Sequence, residues 1–301
     1  MRIVEIRTQP ETLGLREAWD ALLARSGAGS IFLTWDWFQA WWSSYATPDV
    51  RLRLLLVYGD AHSLCAIAPL REESARRQGQ TRRAIRFAVD GSNDSEYLDF
   101  IVAPECEREA RVELAKWLEA ECRRGAVCLL NELPAASPTL PALRTLGQSH
   151  GRVWIEKQVP CAATALPATF ETYVASLKPR FRTKVRSTLK ALEGQPGFAF
   201  GFCGDQAALD TMLPCLFDLH TRRWATEGKT GVFRWDRKLA FYANLSRRLL
   251  ERGWLRFSWL TWRDTVIACQ YGFLYGGVYY HLQEGYEPAC EHLNAGIGLR
   301  A

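Results

Sequence analysis

Polar and apolar residues alternate along Met1 to Ile6, the mark of a strand with one face buried. The same two-residue period returns at Leu255, Phe257 and Trp259, set against Arg256 and Ser258. From there the chain reads as a three-strand meander: a first strand from Leu255, a polar turn at Arg263-Asp264, a second strand over 266–275 and a third over 278–283. Gly276-Gly277 suits the tight turn between the last two, where both central residues take positive φ. Earlier, 51–58, 62–71, 82–89 and 97–102 predict a matching meander, with the arginine-rich REESARRQGQTRRAIR as a solvated hairpin loop or a phosphate grip. LLLVYGDAHSLCAIAPL and SWLTWRDTVIACQYGFL share one plan of strand, Asp-containing turn and strand, which predicts an internal duplication.

Helical spacing fills the intervals. Glu17 to Arg25 predicts a helix and Glu105 to Arg123 an amphipathic one, and Thr34 stands where its hydroxyl can cap a helix over WDWFQAWWSSY. Trp35, Phe38 and Trp42 fall on one face of that helix, with Trp37 and Trp41 on an adjoining one, so core packing is expected on more than one side. Phe181, Val185, Leu189 and Leu192 form a stripe that Gly194 stops, while Lys178, Arg180, Arg182, Lys184, Arg186 and Lys190 cover the rest. That basic surface is either a solvated helix face or a clamp for a row of phosphates. Residues 213–227 predict a helix with Pro214 in its first turn and His220 on its apolar stripe. A further helix runs from Asp236 to Arg252, ended by Gly253. Leu133 to Leu143, with three prolines, is expected to be a connection, and Val153 to Val159 a strand closing the first half.

Composition narrows the class. The 48% hydrophobic and 24% charged shares are those of a globular protein able to bury a core, and the formal charge of +5 permits anionic ligands without indicating nucleic acid. The nine cysteines include no Cys-x-x-Cys pair, so neither a zinc site nor a disulfide framework is expected. Most are read as small buried hydrophobes in a reducing compartment. No apolar run approaches the ~20 residues of a membrane span, and the N-terminus lacks the apolar core of a signal peptide; the location expected is cytoplasmic.

After the third strand come Asn294-Ala295-Gly296-Ile297-Gly298, small residues at a helix start, where unpaired N–H groups favour an anion. Three antiparallel strands, a glycine-bearing loop and a helix start resemble the GNAT N-acyltransferase superfamily. FLTWDWFQAWW, LCAIAPL, EYLDFIVAP, LFDLHTRRW and YYHLQEGYEP, in this order, resemble the CelD/BcsL-type acetyltransferases associated with cellulose and other exopolysaccharides, relatives of the Fem-type aminoacyltransferases.

The resemblance implies an α+β fold of two GNAT-like halves, 1–160 and 161–301, each a mainly antiparallel mixed sheet flanked by helices. It implies acetyl-CoA or another acyl-CoA as co-substrate, no metal, and a small-molecule or saccharide acceptor; tRNA enters only if the chain is Fem-like in chemistry, and a non-catalytic partner protein is the remaining alternative. Asn294, Gly296, Ile297 and Gly298 then hold the diphosphate, although Leu293 stands where the superfamily loop carries a polar residue. The chain reaches Ala301 as that helix begins, so an incomplete second half is expected. No Gly-x-Ser-x-Gly elbow is present and no cysteine has a histidine partner, which points to direct transfer without an acyl-enzyme. His281 and Glu284 are the expected proton-transfer residues, with His220 a third; Arg223, Trp224, Tyr271 and Tyr280 are expected to position the acceptor.

Overall fold

The computed structural model divides into two units, Met1–Glu156 and Lys157–Ala301. The structure describes residues 1–77, 79–150, 153, 155 and 157–301.

The first unit runs β1 (Arg2–Ile6), α1 (Arg16–Arg25), α2 (Trp35–Tyr45), β2 (Arg51–Tyr58), β3 (Leu64–Arg77), β4 (Gln80–Phe87), β5 (Ile101–Val102), α3 (Glu107–Arg123), β6 (Val127–Leu129) and α4 (Thr139–His150). Its strands lie in the order β1-β2-β3-β4-β6, with β5 paired to β3, and β6 joins β4 in parallel. Thr34 caps α2 as expected, its Oγ1 accepting from the Trp37 amide at 3.3 Å. The aromatic helix is core on nearly every side: Trp37 is fully buried and donates to Ser95 Oγ at 2.9 Å. Trp19 stacks on Phe38 and donates its indole N–H to Leu33 O at 2.8 Å.

Several expectations change here. The arginine-rich hairpin is two strands, because Arg71 to Arg77 pair with Gln80 to Arg86 residue by residue. Arg71, Arg83 and Arg86 of this hairpin pair with carboxylates. Arg53, buried in β2, donates to Glu5 and Glu72 and lies 3.3 Å from Glu121, while Arg83 donates to Glu121 at 2.8 Å. The strand expected over 97–102 shrinks to β5, since Tyr97 has φ +52° and cannot continue a ladder. The connection expected over 133–143 gives way to α4 at Thr139. The closing strand expected over 153–159 lies partly outside the described residues, and 157–159 carry no strand. Cys65 and Cys106 form a disulfide and Cys122 and Cys161 are exposed, so the cysteines are not uniformly buried thiols.

The second unit runs α5 (Phe170–Ser176), α6 (Pro179–Glu193), β7 (Phe198–Phe202), α7 (Gln206–Thr226), α8 (Asp236–Glu251), β8 (Leu255–Trp262), β9 (Thr265–Tyr275), β10 (Val278–Tyr286) and α9 (Ala295–Arg300). The four strands are antiparallel in the order β10-β9-β8-β7. Gly276 and Gly277 take φ +57° and +77° in the β9–β10 turn, and Gly194 and Gly253 follow α6 and α8. α7 starts earlier than Pro214 suggests: Asp205 caps it, its Oδ1 accepting from the Ala208 amide at 2.8 Å, and Pro214 lies inside the helix.

One sheet face packs on α7 and α8 through Phe257, Tyr271 and Phe273; the other meets α6 and α9 through Leu260, Ala268, Leu192 and Leu299. Gly285 sets the first contact. A Cβ there would lie 2.5 Å from the His220 backbone nitrogen and 2.9 Å from the Leu219 carbonyl carbon, atoms of a helix backbone with nowhere to go. Gly285→Ala is expected to destabilise the second unit by about 1–3 kcal/mol, as overpacked sites do; urea midpoints of the two proteins check this.

Candidate active site

The site is organised by a β-bulge in β10. His281 pairs with Gly272 of β9, yet Gln283 pairs with Tyr271, so Leu282 has no opposite residue. An extra residue reverses the alternation beyond it. Tyr279, His281 and Glu284 therefore share the α9 face with Gln270 and Gly272, whereas Tyr280 and Gln283 turn to the α7 face with Tyr271 and Phe273. The simple two-residue period would have grouped His281 with Gln283.

On the α9 face His281 Nε2 lies 3.5 Å from Glu284 Oε2. Arg300 of α9 donates to both oxygens of Glu284, at 2.5 Å each. Burial opposes ionisation of Glu284, but hydrogen bonds from His281 and Arg300 and their charges outweigh it, and the carboxyl is held at about 2. It takes up no proton near neutrality. Its chemical use is to hold the imidazole: in the neutral form of the ring, a proton on Nε2 facing the carboxylate leaves the lone pair on Nδ1. Tyr279 lies across Gly272, where an added Cβ would fall 2.9 Å from its hydroxyl oxygen, and the residue, on the same face as His281, is 40% exposed.

The sheet separates this group from the other expected residues. His220, on α7, is buried and accepts from Trp224 Nε1 at 2.9 Å. Burial first, and then the charges of Arg223 and Lys238, lower its pKa to about 4 against an opposing hydrogen bond with Gln283. It is thus a neutral imidazole packed on the face opposite His281 and Glu284, and the structure does not bring it together with them. Tyr271 is fully buried with its hydroxyl 2.7 Å from Ser246 Oγ, so it belongs to the core and not to an acceptor surface. Trp224 lies between two cations, Arg223 at 4.3 Å and Lys229 at 4.8 Å from its ring, and Arg223 also donates to Glu227. Tyr280 is on the same side as Tyr271.

The loop expected to hold a diphosphate is only partly open. Asn294 has φ +51°, and its carbonyl oxygen accepts from the Ile297 and Gly298 amides at 2.9 and 3.1 Å. A Cβ on Gly298 would lie 2.2 Å from Leu192 Cδ1, so this glycine lets α9 approach α6; ligand approach is not its role. Gly296 differs: a Cβ there would meet nothing within 4 Å, and its amide makes no hydrogen bond among the described residues. Arg300 is the member that sequence reasoning missed, because sixteen residues without a shared period separate it from Glu284.

Another cavity, of about 700 Å³, lies in the first unit between Trp42, Trp117 and the Arg53 network. Its buried Arg53, Glu72 and Glu121 are already paired with one another.

Residues 179–300 match the acetyltransferase (GNAT) domain family. The GNAT domain therefore contains α6 through α9, the sheet and the whole His281–Glu284–Arg300 group, and it is an acyltransferase domain; GNAT acetyltransferases use acyl-CoA. In fold the whole chain is similar to FemX, with a TM-score of 0.60 at 14% identity, covering 100% of this chain and 84% of that one. It is also similar to a conserved protein of unknown function from Bacteroides thetaiotaomicron VPI-5482, with a TM-score of 0.52 at 13% identity over 99% of this chain and 85% of that one. No curated protein matches it in sequence. The α+β architecture of two sheets flanked by helices is thus GNAT-like, as expected. Among the described residues no helix is long and apolar enough to cross a membrane.

Proposed function

We propose that the GNAT domain transfers an acyl group, acetyl first among them, from acyl-CoA directly to an amine or hydroxyl of a saccharide precursor of the cell envelope or of an exopolysaccharide such as cellulose. The observation that carries the transfer is the bulge that sets His281 against a Glu284 ionised near neutrality, beside the exposed Tyr279. The acceptor class rests on the resemblance to CelD/BcsL-type proteins. On this reading 1–160 is a GNAT-like half without the donor loop and 161–301 is the half that carries it.

Acyl-CoA supplies a thioester carbonyl already activated for attack. The chain's own residues do the rest. His281 Nδ1 removes the proton from the acceptor as its nitrogen or oxygen attacks, and Glu284 stabilises the imidazolium that results. Arg300 fixes Glu284 in turn. Tyr279 offers a flat face to the acceptor, and the free Gly296 amide, with Asn294 and Ala295 around it, faces the donor's anionic part.

Isothermal titration with acetyl-CoA tests the donor, and release of free CoA thiol in the presence of amino sugars tests transfer. Heat without turnover on any acceptor would leave a binding protein. Gly296→Val places its side chain in open space, so the fold is kept while the approach is blocked; acetyl-CoA affinity is expected to fall about tenfold, roughly 1.4 kcal/mol. Unchanged affinity would remove the loop from the site.

A second reading, a Fem-type transferase using aminoacyl-tRNA, is favoured by one feature. Arg180, Lys184, Arg186 and Lys190 are exposed along α6, and among the described residues none pairs with a carboxylate. Binding of tRNA that weakens steeply with salt is its signature. Salt-insensitive binding, or none, rejects it.

A further inference from the structure

α3 ends beside β6, and two cysteines meet there. Cys122 lies exposed in the last turn of the helix, Cys128 half-buried on the strand, and their sulfurs are 3.3 Å apart. The connection between them is tightly held. Gly125 turns the chain at φ +88°, its amide donates to Cys122 O at 2.9 Å, and the Ala126 amide donates to Glu121 O at 3.0 Å. The sulfurs are therefore presented to each other by a fixed turn.

We propose that Cys122 and Cys128 are a reversible dithiol–disulfide pair, a modification site on the first unit that the acyl-transfer reading leaves unused. Division of labour follows from their surroundings. The hydrogen bond from Cys128 lowers the Cys122 thiol to about 7, against burial and the charges of Glu121 and Glu119. Cys128 is raised by that same bond and by burial. Cys122 is the attacking thiolate and Cys128 the resolving thiol. Cys203, Cys215, Cys269 and Cys290 are all raised, chiefly by burial, and so differ from Cys122.

The oxidant is a low-molecular-weight disulfide. The Cys122 thiolate attacks one of its sulfurs, forming a mixed disulfide and expelling one thiolate. Cys128 then loses its proton to solvent and attacks Cys122 Sγ, expelling the second thiolate and closing the protein disulfide. Two protein electrons reduce one small disulfide to two thiols. Closure ties the end of α3 to β6 directly beside Glu121, the carboxylate that holds Arg53 and Arg83.

Glutathione disulfide is the probe, applied to the folded full chain and read by mass spectrometry after alkylation and trypsin. Arg123 and Arg124 lie between the cysteines, so cleavage puts them in separate peptides, 117–123 and 125–144, joined only if the disulfide forms. The joined pair is expected in the wild type, absent after dithiothreitol. Cys128→Ser is expected to retain glutathione on peptide 117–123, because the resolving thiol is gone. Cys122→Ser is expected to show neither the joined pair nor glutathione on Cys128. The proposal is overturned if the wild-type peptides stay separate and alkylated, or if Cys128→Ser takes up glutathione at Cys122 no faster than at the exposed Cys161. Far-UV circular dichroism of the serine variants confirms that each reports on a folded chain.

Discussion

His281→Ala is expected to lower kcat for acyl transfer by about 100- to 10,000-fold, the range contributed by a positioned general base, while leaving acyl-CoA affinity within a factor of about two. The imidazole stands at the bulge against Glu284, and among the described residues no hydrogen bond or ion pair joins it to the loop around Gly296, so donor binding has no reason to change. Glu284→Gln separates positioning from chemistry. Glutamine still fills the space and accepts one hydrogen bond, yet it no longer offsets an imidazolium, so kcat falls by less than in His281→Ala and KM for the donor holds. The pH profile gives an independent reading. A carboxyl pulled from 4.5 down to about 2 contributes its pairing fully above its ordinary value and loses it only as pH falls through about 2. The acid limb of the rate profile between pH 5 and 8 therefore cannot belong to Glu284. If His281→Ala retained full turnover, the proton would have another acceptor and this face of β10 would lose its catalytic assignment.

How much of this was legible before the coordinates depends on whether the signal was local. Thr34 as a cap, Gly194 and Gly253 as stops and the Gly276-Gly277 turn each act within four residues, and each behaves as the sequence implied. The bulge at Leu282 is different, because an unpaired residue exists only relative to a partner strand. Without it, alternation assigns Gln283 to the face of His281 and turns Glu284 away. His220 was read correctly as part of an apolar stripe; what keeps it neutral is burial first, and then the charges of Arg223 and of Lys238, the latter on another helix. Tyr271 reads as a polar aromatic until Ser246, on α8, is seen to meet its hydroxyl. Gly298 shows the converse. A small residue in a glycine-bearing loop suggests room for a ligand, but the room is filled by Leu192. In each case the decisive neighbour comes from outside the local segment.

Asp99→Ala is expected to destabilise the first unit by about 3–5 kcal/mol, the range for removing one partner from a buried ion pair. Asp99 is 5% exposed and gathers four donors: the adjoining Phe100 amide at 2.7 Å, Ser137 and Thr139 hydroxyls at 2.5 Å each, and Arg111 at 3.3 Å. These come from α3, from the start of α4 and from the segment leading into β5, so one carboxylate ties three elements together. Truncation strands the Arg111 guanidinium, itself 6% exposed, with Glu107 as its remaining carboxylate, and leaves two buried hydroxyls short of an acceptor. Asp99→Leu combined with Arg111→Met removes both charges and is expected to recover part of the loss, since a buried pair replaced by apolar residues of similar volume is often neutral. Denaturant midpoints for the single and double variants decide it. A double variant less stable than the sum of the two singles would mean that packing around α3, and not the uncompensated charge, dominates the loss.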